Sequence, residues 1–589
     1  MLLEVVLLDP IFFRGFIGEL ELENRIVMPA IKTGFFDETG GANERYLDFL
    51  EARAKGGAAL VIVEAFSDNL INLWEMEERF SLHELAGRIH TAGARIALQL
   101  SRATGKQEVP QNLKNCQTEE MQGLIRVAEA AAAAGFDALE VQGECCGKMT
   151  ADPVLRDYYI NLLAFLEKKV KLPLIYRLGT MESVPLDEVL HICRVVELAG
   201  AAAVHIPVDP YQTLEPPGFL VPLCAAVKKA VRIPVIAAGR INRPELAAEI
   251  LKHGAADFIS MGRALLADPE FPRKTEEGRL EEIRPCIGCN EGCINHYMAG
   301  EPITCLQNLA VGRERELSNL PVVQQPKSIL VVGGGPAGMT AAKYLAKRGH
   351  RVRLAEKLPQ LGGQINIAAL VPGKQDYRFI VTCLAEELSS SGVEILPLTS
   401  SIKKCLLEEE VPNVLVVATG SGAKKLPVLH GLTVPVFTAR DLIISDFSID
   451  GGQVVVIGAG LLGLETAYFL ATRGKNVIVV EQEQEIVRDS APVYIDHLLK
   501  KLEDGGVKIL TGTAVLGGEG IVIKLHDLRS GETTDIFAAG GVVVAVGSDP
   551  VCPEELQGRN DKLHLIGDAR LPGKILDAME DALALALRL

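Results

Sequence analysis

Apolar and polar positions in the first half of the chain form a repeated pattern of short apolar runs separated by amphipathic stretches. Most runs are rich in Val, Ile and Leu and end at Gly, Pro or a polar residue, which is typical of buried parallel strands. The eight runs are Ile26–Ile31, Ala59–Ala65, Arg95–Leu100, Ala138–Gly143, Pro173–Gly179, Ala203–Pro207, Pro234–Gly239 and Phe258–Gly262. Helical periodicity separates them, for example at Asn43–Lys55, Thr118–Ala134, Leu186–Leu198 and Arg243–Lys252.

Eight strands alternating with helices over roughly 250 residues predict an α/β fold of the (β/α)₈ TIM-barrel type. An open doubly wound sheet would show the same alternation, but the count of eight favours the barrel. In a barrel, functional side chains follow the C-terminal ends of the strands. The residues at those ends are Pro29, Ala30, Ile31, Lys32, Thr33, Ala65, Gln99 to Arg102, Gln142 to Cys145, Arg177, His205, Gly239, Arg240, Gly262 and Arg263. The last two Gly–Arg pairs predict a bound phosphate, since glycine lets backbone N–H groups approach it and arginine supplies charge.

The second half of the chain contains one pattern twice: an apolar strand, a glycine-rich turn, a helix, a second strand and a final acid. The copies begin at Ser328–Val332 and Val454–Ile457, and in both the acid lies 23 residues after the first glycine. The glycines and acids are Gly333, Gly335, Gly338 and Glu356 in the first copy, and Gly458, Gly460, Gly463 and Glu481 in the second. This arrangement predicts two Rossmann-like dinucleotide-binding domains.

Two later stretches assign cofactors to the two copies. A strand runs into a glycine turn at Val416–Gly420, and Gly567–Asp568 resembles the motif whose acid holds the ribityl chain of a flavin. We therefore expect FAD on the first copy and NAD(H) on the second, with the second domain inserted into the first. Glu481 favours NADH over NADPH, because a carboxylate repels a 2′-phosphate.

Four of the twelve cysteines lie within twenty residues, and the others are scattered. Cys286, Cys289 and Cys293 have C-x₂-C-x₃-C spacing, and Cys305 follows. Four thiolates suit either zinc or an iron–sulfur cluster. Zinc sites favour two paired C-x₂-C elements, so this three-plus-one pattern is more typical of a [4Fe–4S] cluster.

Composition and charge narrow the class of protein. The 589 residues carry 48% hydrophobic and 23% charged side chains, and the net charge is −16. The length predicts about four domains, and the acidity argues against a nucleic-acid partner. No apolar run is long enough to span a bilayer, and the N-terminus lacks the basic start of a signal peptide. We expect a cytoplasmic protein whose partners are NAD(H) and a small-molecule substrate.

These features together resemble the long, three-cofactor members of the old yellow enzyme family, typified by 2,4-dienoyl-CoA reductase and trimethylamine dehydrogenase. The resemblance covers nearly the whole chain and includes the Leu22–Met28 and Ala97–Leu100 segments, the cysteine spacing and both glycine motifs. It implies FMN in the barrel, a [4Fe–4S] cluster beside it, and FAD with NAD(P)H in the second half.

The resemblance also implies roles for individual residues. Gln99 would hydrogen-bond the FMN ring, Arg177 would stabilise negative charge on it, and Arg240 and Arg263 would bind its phosphate. The remaining predicted cofactor contacts are Pro29, Ala30, Ile31, Ala65, Gly239 and Gly262 in the barrel, and Ala337, Gly363, Gln364 and Gly420 at the FAD site. Electrons would pass from NADH through FAD and the cluster to FMN, since the cluster carries single electrons and the flavins handle pairs.

The chain departs from the family pattern after the fourth barrel strand. The family usually has Glu-Ile-His-x-x-His-Gly-Tyr there, whereas this chain has Gln142 and Cys145 at the histidine positions and Gly147 at the tyrosine position. Candidate catalytic residues are therefore Cys145 and Glu144 as proton donors, Gln142, and Arg102 as a clamp for a substrate carboxylate. Tyr158, Tyr159, Tyr211 and His205 are further candidates by position.

Three hypotheses for the function follow. The first is NADH-dependent reduction of an activated C=C bond in a substrate other than a typical dienoyl-CoA. The second is oxidative demethylation or amine dehydrogenation with the same groups used in reverse, and the third is an electron-transfer module without its own small substrate. The predicted divisions are an FMN barrel at 1–275, an iron–sulfur segment at 276–325, an FAD domain at 326–445 and 549–589, and an NAD(H) domain at 446–548.

Overall fold

The computed structural model describes residues 8–35, 43–64, 81–102, 119–144, 146–179, 184–208, 215–397, 412–445, 451–486, 492–556 and 563–589. The chain forms two compact units, one of Met1–Gly288 with Gly292–Ser318, and the other of Cys289–Glu291 with Asn319–Leu589. Within the described residues, no helix is both long and apolar enough to cross a bilayer.

The first unit is a closed barrel of eight parallel strands preceded by a hairpin. The strands are β1 (Gly15–Ile17) and β2 (Leu20–Leu22) in the hairpin, then β3 (Ile26–Met28), β4 (Leu60–Val63), β5 (Arg95–Leu100), β6 (Ala138–Gln142), β7 (Leu174–Arg177), β8 (Ala203–Ile206), β9 (Val235–Ala237) and β10 (Phe258–Ser260). Strand β10 pairs with both β9 and β3, with Ile259 opposite Ile26, and this pairing closes the barrel.

Helices alternate with these strands and pack around the barrel. They are α1 (Glu44–Lys55), α2 (Leu82–Thr91), α3 (Glu119–Ala133), α4 (Cys146–Ala151), α5 (Pro153–Val170), α6 (Leu186–Leu198), α7 (Val221–Ala230), α8 (Pro244–Lys252), α9 (Arg263–Ala267), α10 (Phe271–Glu276), α11 (Ile294–Met298) and α12 (Glu314–Ser318). Several begin at a side-chain cap: the Asn43 side chain accepts from Tyr46 N–H, and that of Ser81 from Glu84 N–H. Such caps fix where the chain leaves each loop.

Two apolar layers stabilise the barrel, because alternate strand residues point inward and outward. Inward residues such as Val27, Ile62 and Ile236 fill the interior together with Ile17 and Leu22 of the hairpin. Outward residues pack beneath the helices. The interior is therefore solid, and the strand ends are left for chemistry.

The second unit contains two parallel sheets and two smaller antiparallel-containing sheets. Its strands are β11 (Ser328–Val332), β12 (Arg351–Glu356), β13 (Glu394–Pro397), β14 (Val414–Val417), β15 (Ser421–Ala423), β16 (Gly431–Leu432), β17 (Val436–Thr438), β18 (Gln453–Ile457), β19 (Asn476–Val480), β20 (Lys508–Leu510), β21 (Thr513–Gly520), β22 (Val522–Asp527), β23 (Thr533–Phe537), β24 (Gly541–Val544), β25 (Ser548–Pro550) and β26 (Leu563–Leu565). Its helices are α13 (Pro336–Lys347), α14 (Ile365–Ala368), α15 (Arg378–Ser390), α16 (Ala439–Ser445), α17 (Leu461–Ala471), α18 (Pro492–Asp504) and α19 (Ile575–Arg588).

The sheet order of the second unit shows that one nucleotide fold is inserted into the other. The first five-stranded sheet has the order β13-β12-β11-β14-β26, and the second has β17-β24-β18-β19-β20. Strand β26 comes from the end of the chain and pairs with β14, with Leu563 opposite Leu415. The predicted fold class, a TIM barrel followed by two nested Rossmann-like folds, is confirmed.

The strand bounds differ from the predicted runs in one consistent way. The predicted runs continued to Ile31 and Gly239, whereas β3 ends at Met28 and β9 at Ala237. The residues beyond each strand leave the ladder because they turn to line a cavity. The apolar runs therefore include both the strand and the start of the site.

Candidate active site

A cavity of about 570 Å³ lies at the C-terminal ends of the barrel strands. Residues that follow the strands form most of its wall, and the rest comes from the segment 286–303. The predicted residues that line it are Pro29, Ala30, Ile31, Gln99, Gln142, Arg177, Gly239, Arg240, Gly262, Arg263, Cys286 and Cys293. The barrel therefore gathers residues far apart in sequence around one space large enough for an organic cofactor.

A hydrogen-bonded network supports the polar wall of this cavity. Glu140 is fully buried on β6 and accepts hydrogen bonds from Gln99 Nε2 at 2.7 Å and from His205 Nδ1 at 2.6 Å. The other ring nitrogen of His205 lies 2.9 Å from Ser260 Oγ. Sequence analysis did not identify Glu140 or Ser260. The available signal was that each is a polar residue within an otherwise apolar, buried strand.

The charges in this network are set by burial and by neighbouring groups. Burial raises the pKa of Glu140, but the charge and hydrogen bond of His205, followed by Arg177 and Gln99, lower it on balance. Burial lowers the pKa of His205 against the opposing attraction of Glu140. Both ring nitrogens of His205 are engaged within the network, so this side chain holds Glu140 and Ser260 in place.

Arg177 is the cation of the cavity wall that lies against Glu140. Burial lowers the pKa of its guanidinium, and Glu140 counteracts part of that effect. Its Nη1 is buried and has no hydrogen-bond partner within the described residues. A buried guanidinium donor is costly to leave unsatisfied, so a ligand oxygen or nitrogen in the cavity would stabilise it. This orphaned donor fits the edge of a flavin ring.

The two Gly–Arg pairs, Gly239–Arg240 and Gly262–Arg263, both line the cavity. Gly239 has a φ of 136° and Arg240 a φ of 53°, both in the left-handed region that favours glycine. Arg240 Nη1 donates to the Glu215 carbonyl at 2.6 Å. Gly262 is the N-cap of α9, and a Cβ there would lie 3.2 Å from Pro29 Cγ. This close backbone packing fits a phosphate held by N–H groups and guanidinium side chains.

Both glycine motifs of the second unit have the geometry of nucleotide-binding turns. A Cβ on Gly338 would lie 1.9 Å from the Gly333 carbonyl oxygen, and one on Gly463 would lie 1.9 Å from the Gly458 oxygen. Gly335 and Gly460 are the N-caps of α13 and α17 and have open space beside them. Each helix N-terminus can thus be approached by a pyrophosphate.

The acid of each motif is held against the turn. Glu356 accepts from Gly334 N–H and Glu481 accepts from Ala459 N–H, both at 2.6 Å. Ala337 packs beside Gly567, since a Cβ on that glycine would lie 2.8 Å from the Ala337 Cβ. The matching geometry of the two copies supports one binding mode at both.

A polar cluster surrounds Asp568 in the first nucleotide fold. Ser421 Oγ donates to Asp568 Oδ2 at 2.9 Å, and Gln364 Nε2 lies 3.3 Å from the same oxygen. Gly420 lies beside this cluster, since a Cβ on it would lie 3.6 Å from Gln364 Nε2, and a Cβ on Gly363 would lie 3.3 Å from Gly335 Cα in the glycine-rich turn. Ser421 and Arg440, whose Nη2 donates to Ser421 Oγ at 3.2 Å, were not identified from sequence.

Three of the four predicted cysteine ligands lie in the barrel unit. Cys286, Cys293 and Cys305 are free thiols within electrostatic reach of one another. Burial raises the pKa of Cys293 to about 11 and that of Cys305 to about 12. Cys289 belongs to the second unit and interacts electrostatically with Tyr377 there.

Four thiol side chains are a donor set that suits either zinc or an iron–sulfur cluster. Among the described residues, no three His, Cys, Asp or Glu side chains are grouped as closely as one ion requires.

Of the four predicted catalytic residues, one lines the cavity, two do not, and one lies outside the described residues. Gln142 lines the cavity, and its Nε2 donates to the Gly143 carbonyl at 3.0 Å. Arg102 and Glu144 do not line that cavity; Arg102 Nη1 lies 3.8 Å from Glu144 Oε1 and its guanidinium faces the Tyr158 ring. Cys145 and Ala65, like Tyr211, lie outside the described residues.

Glu64 is a buried carboxyl at the end of β4 that sequence analysis missed. It is 6% exposed and accepts a hydrogen bond from Thr33 N–H at 3.3 Å. Burial raises its pKa to about 7, outweighing that hydrogen bond and the charge of Lys32. At neutral pH the group is therefore only partly ionised.

The raised pKa of Glu64 predicts a pH-dependent stability. The folded state binds this proton more tightly than the unfolded state, so stability falls as pH rises from the ordinary value of 4.5 through about 7. Glu64→Gln keeps an acceptor for Thr33 and is expected to be more stable than the wild type at about pH 8, by up to about 3 kcal/mol, with little difference near pH 5. Thermal melting at both pH values measures this. Glu84→Gln, on an exposed position of α2, is the control, and a difference that does not change with pH would refute the assignment.

The fold and these sites define a class of protein: a flavin-dependent oxidoreductase linked to NADH. Family models match residues 219–282 as the "NADH:flavin oxidoreductase / NADH oxidase family" and residues 327–565 as "pyridine nucleotide-disulphide oxidoreductase". The NADH oxidase of Thermoanaerobacter brockii is 32% identical, covering 98% of this chain and 99% of its own. The chain therefore belongs to the NADH:flavin oxidoreductase / NADH oxidase family, and the predicted long old yellow enzyme relationship is confirmed.

Other relatives extend this comparison. The cinnamate reductase of Clostridium sporogenes is 30% identical over 99% of both chains. The solved structure of a 2-naphthoyl-CoA reductase, in complex with 2-naphthoyl-CoA, superposes with a TM-score of 0.84 at 23% identity, covering 99% of this chain and all of that one. At that identity the superposition supports the fold alone.

Proposed function

We propose that this protein uses NADH to reduce an activated C=C bond of a small organic substrate bound in the barrel cavity. The observation that carries the proposal is the composition of that cavity's wall. The same wall contains the flavin-type groups Gln99 and Arg177 and two of the predicted cluster ligands, Cys286 and Cys293. A site built this way is suited to receive electrons from a cluster and deliver them to a substrate. The activity for which the cinnamate reductase relative is named agrees with this proposal.

Each of the three groups would be held by residues that the sequence predicts for it. FMN would lie in the barrel cavity, with Gln99 and Arg177 at its ring and Arg240 and Arg263 at its phosphate. Cys286, Cys289, Cys293 and Cys305 would hold a [4Fe–4S] cluster. When bound, FAD, the cluster and FMN would together supply the electron route from NADH to the substrate. The domain divisions given from sequence are part of this proposal.

The residues of the second unit would determine which nucleotide binds where. Gly333, Gly335 and Gly338 would receive the pyrophosphate of FAD, with Asp568 and Gln364 near its ribityl chain. Gly458, Gly460 and Gly463 would receive that of NADH. Glu481, which accepts a hydrogen bond from Ala459 N–H, would favour NADH because a carboxylate repels a 2′-phosphate.

The barrel residues would bind and orient the flavin and the substrate, and two of them would supply a proton. Arg177 would stabilise negative charge at the ring edge because its buried Nη1 has no protein acceptor among the described residues. Glu140 would hold Gln99 in place. Glu144 and Cys145 stay the proposed proton donors, with Arg102 positioned by Glu144 and Tyr158.

Product analysis tests the proposed function. The anaerobic holoenzyme is given NADH with each of a series of unsaturated acids and enones, and products are measured by mass spectrometry. The proposal predicts NADH-dependent gain of two hydrogens by at least one alkene class. Oxidation of methylamines without NADH would instead support the reverse direction, and reduction of no small substrate would support the electron-transfer module.

A further inference from the structure

The charge of the barrel cavity is opposite to that of the protein as a whole. The chain carries a net charge of −16. Among the described residues that line the cavity, the charged ones are Lys32, Arg177, Arg240 and Arg263, and none is an aspartate or glutamate. A cavity with this lining attracts anions.

Three of these four cations have a role in the proposed cofactor site. Arg177 interacts with the buried carboxylate of Glu140, and Arg240 and Arg263 are the proposed ligands of the FMN phosphate. The ring edge and the phosphate of the proposed FMN would be the binding partners of these three cations. Lys32 is the remaining cation, and the proposed cofactor gives it no counter-charge.

Lys32 lies at the solvent-facing side of the cavity. It is an exposed residue four positions beyond the end of β3, and its Nζ lies 5.6 Å from the centre of the Tyr297 ring. Tyr297 and Met298 also line the cavity and are 46% and 48% exposed, whereas His205 in the same wall is fully buried. These exposed lining residues therefore form the entrance.

Among the described residues, one buried acid acts on Lys32 from outside the cavity lining. Glu64 interacts electrostatically with Lys32, but it is buried, does not line the cavity and is held by Thr33 N–H. The Tyr297 ring is the group packed against the ammonium. A cation over an aromatic ring stays free to bind an anion on its other side.

We propose that Lys32 and Tyr297 form the substrate-recognition pair of the cavity and that the substrate is a planar unsaturated carboxylic acid. Lys32 would bind the carboxylate, and the conjugated part of the molecule would lie against Tyr297 and Met298. The flat aromatic ring and the polarisable thioether suit a conjugated system. The inference rests on the proposed reduction of an activated C=C bond and specifies its substrate class.

Calorimetry with the oxidised holoenzyme, without NADH, tests this pair independently of turnover. The probes are trans-cinnamate and its neutral amide, followed by other unsaturated acid and amide pairs. In the wild type the acid should bind more tightly than the amide. Lys32→Met should weaken binding of the acid by about tenfold, since a hydrogen bond to a charged group is lost, and change binding of the amide less than about twofold. Lys32→Arg should retain most of the preference.

Lys252→Met removes the same charge from an exposed position at the end of α8 and is the matched control. It should leave both affinities unchanged. The inference is overturned if no acid in the series binds the wild type better than its amide, or if Lys32→Met changes acid and amide equally. If acids bind in a Lys32-dependent way but NADH reduces none of them, the proposed function is wrong and the recognition pair still stands.

Discussion

Replacing Cys286 by alanine is expected to remove the iron from the protein and lower NADH-driven turnover by at least about a hundredfold. Cys286 lies in the wall of the barrel cavity, within electrostatic reach of Cys293 and Cys305. Three thiolates cannot complete the proposed four-ligand set. Iron and sulfide content and electron paramagnetic resonance after chemical reduction measure the loss directly.

The control for this variant is a buried cysteine elsewhere in the barrel unit. Cys224 lies on α7, and burial raises its pKa to about 12. Cys224→Ala should retain iron and NADH-driven turnover. Dithionite, which can reduce a barrel flavin directly, should still support turnover in Cys286→Ala if the barrel is folded. Full iron content and wild-type NADH-driven turnover in Cys286→Ala would refute the proposed cluster site.

A pair of glycine substitutions should separate the two nucleotide sites of the second unit. In Gly338→Ala and Gly463→Ala the new Cβ would lie 1.9 Å from a carbonyl oxygen, of Gly333 and Gly458 respectively. That distance forces the turn to shift, at a cost of about 1–3 kcal/mol or more. Gly338→Ala is therefore expected to lose FAD, with affinity reduced by about tenfold or more, and Gly463→Ala should keep FAD and lose NADH affinity by a similar factor.

Each glycine variant is a control for the other, and a third substitution controls for the added methyl group. Gly517 lies on β21, where a Cβ would meet its nearest neighbour, the Val428 oxygen, at 3.7 Å. Gly517→Ala should change neither the FAD content nor the affinity for NADH. FAD content is measured by absorbance after gel filtration, and NADH affinity by anaerobic titration. If Gly338→Ala and Gly463→Ala each weakened the binding of FAD and of NADH equally, the assignment of FAD to the first copy would be wrong.

Features that depend on local pattern were predictable from the sequence. The barrel strands are buried on both faces, so each produces a continuous apolar run that ends where the cavity begins. The two nucleotide folds were recognisable because Gly338 and Gly463 must each pack against a carbonyl five residues earlier, which fixes the spacing. The return of the first fold at β26 followed from the Gly567–Asp568 motif and is confirmed by its pairing with β14.

Features that depend on contacts between distant segments were not predictable. Gln364 and Asp568 are 204 residues apart, and Ser421 joins them only in the folded unit. Glu140 and Ser260 read as ordinary strand residues until His205 is placed between them. Tyr297 was not identified because nothing in its neighbourhood marks it as facing the barrel cavity. Its importance comes from Lys32, 265 positions earlier in the chain.

The most direct test of the central claim is a single-turnover measurement with the wild-type holoenzyme. The protein is reduced anaerobically with NADH, unreacted nucleotide is removed, and an unsaturated acid is added while the absorbance of the bound groups is followed. We predict that their absorbance returns in step with the appearance of the saturated acid, and that the saturated analogue causes no such return. Absorbance that stays bleached with every alkene tested would contradict the proposal that electrons from NADH reach a C=C bond in the barrel.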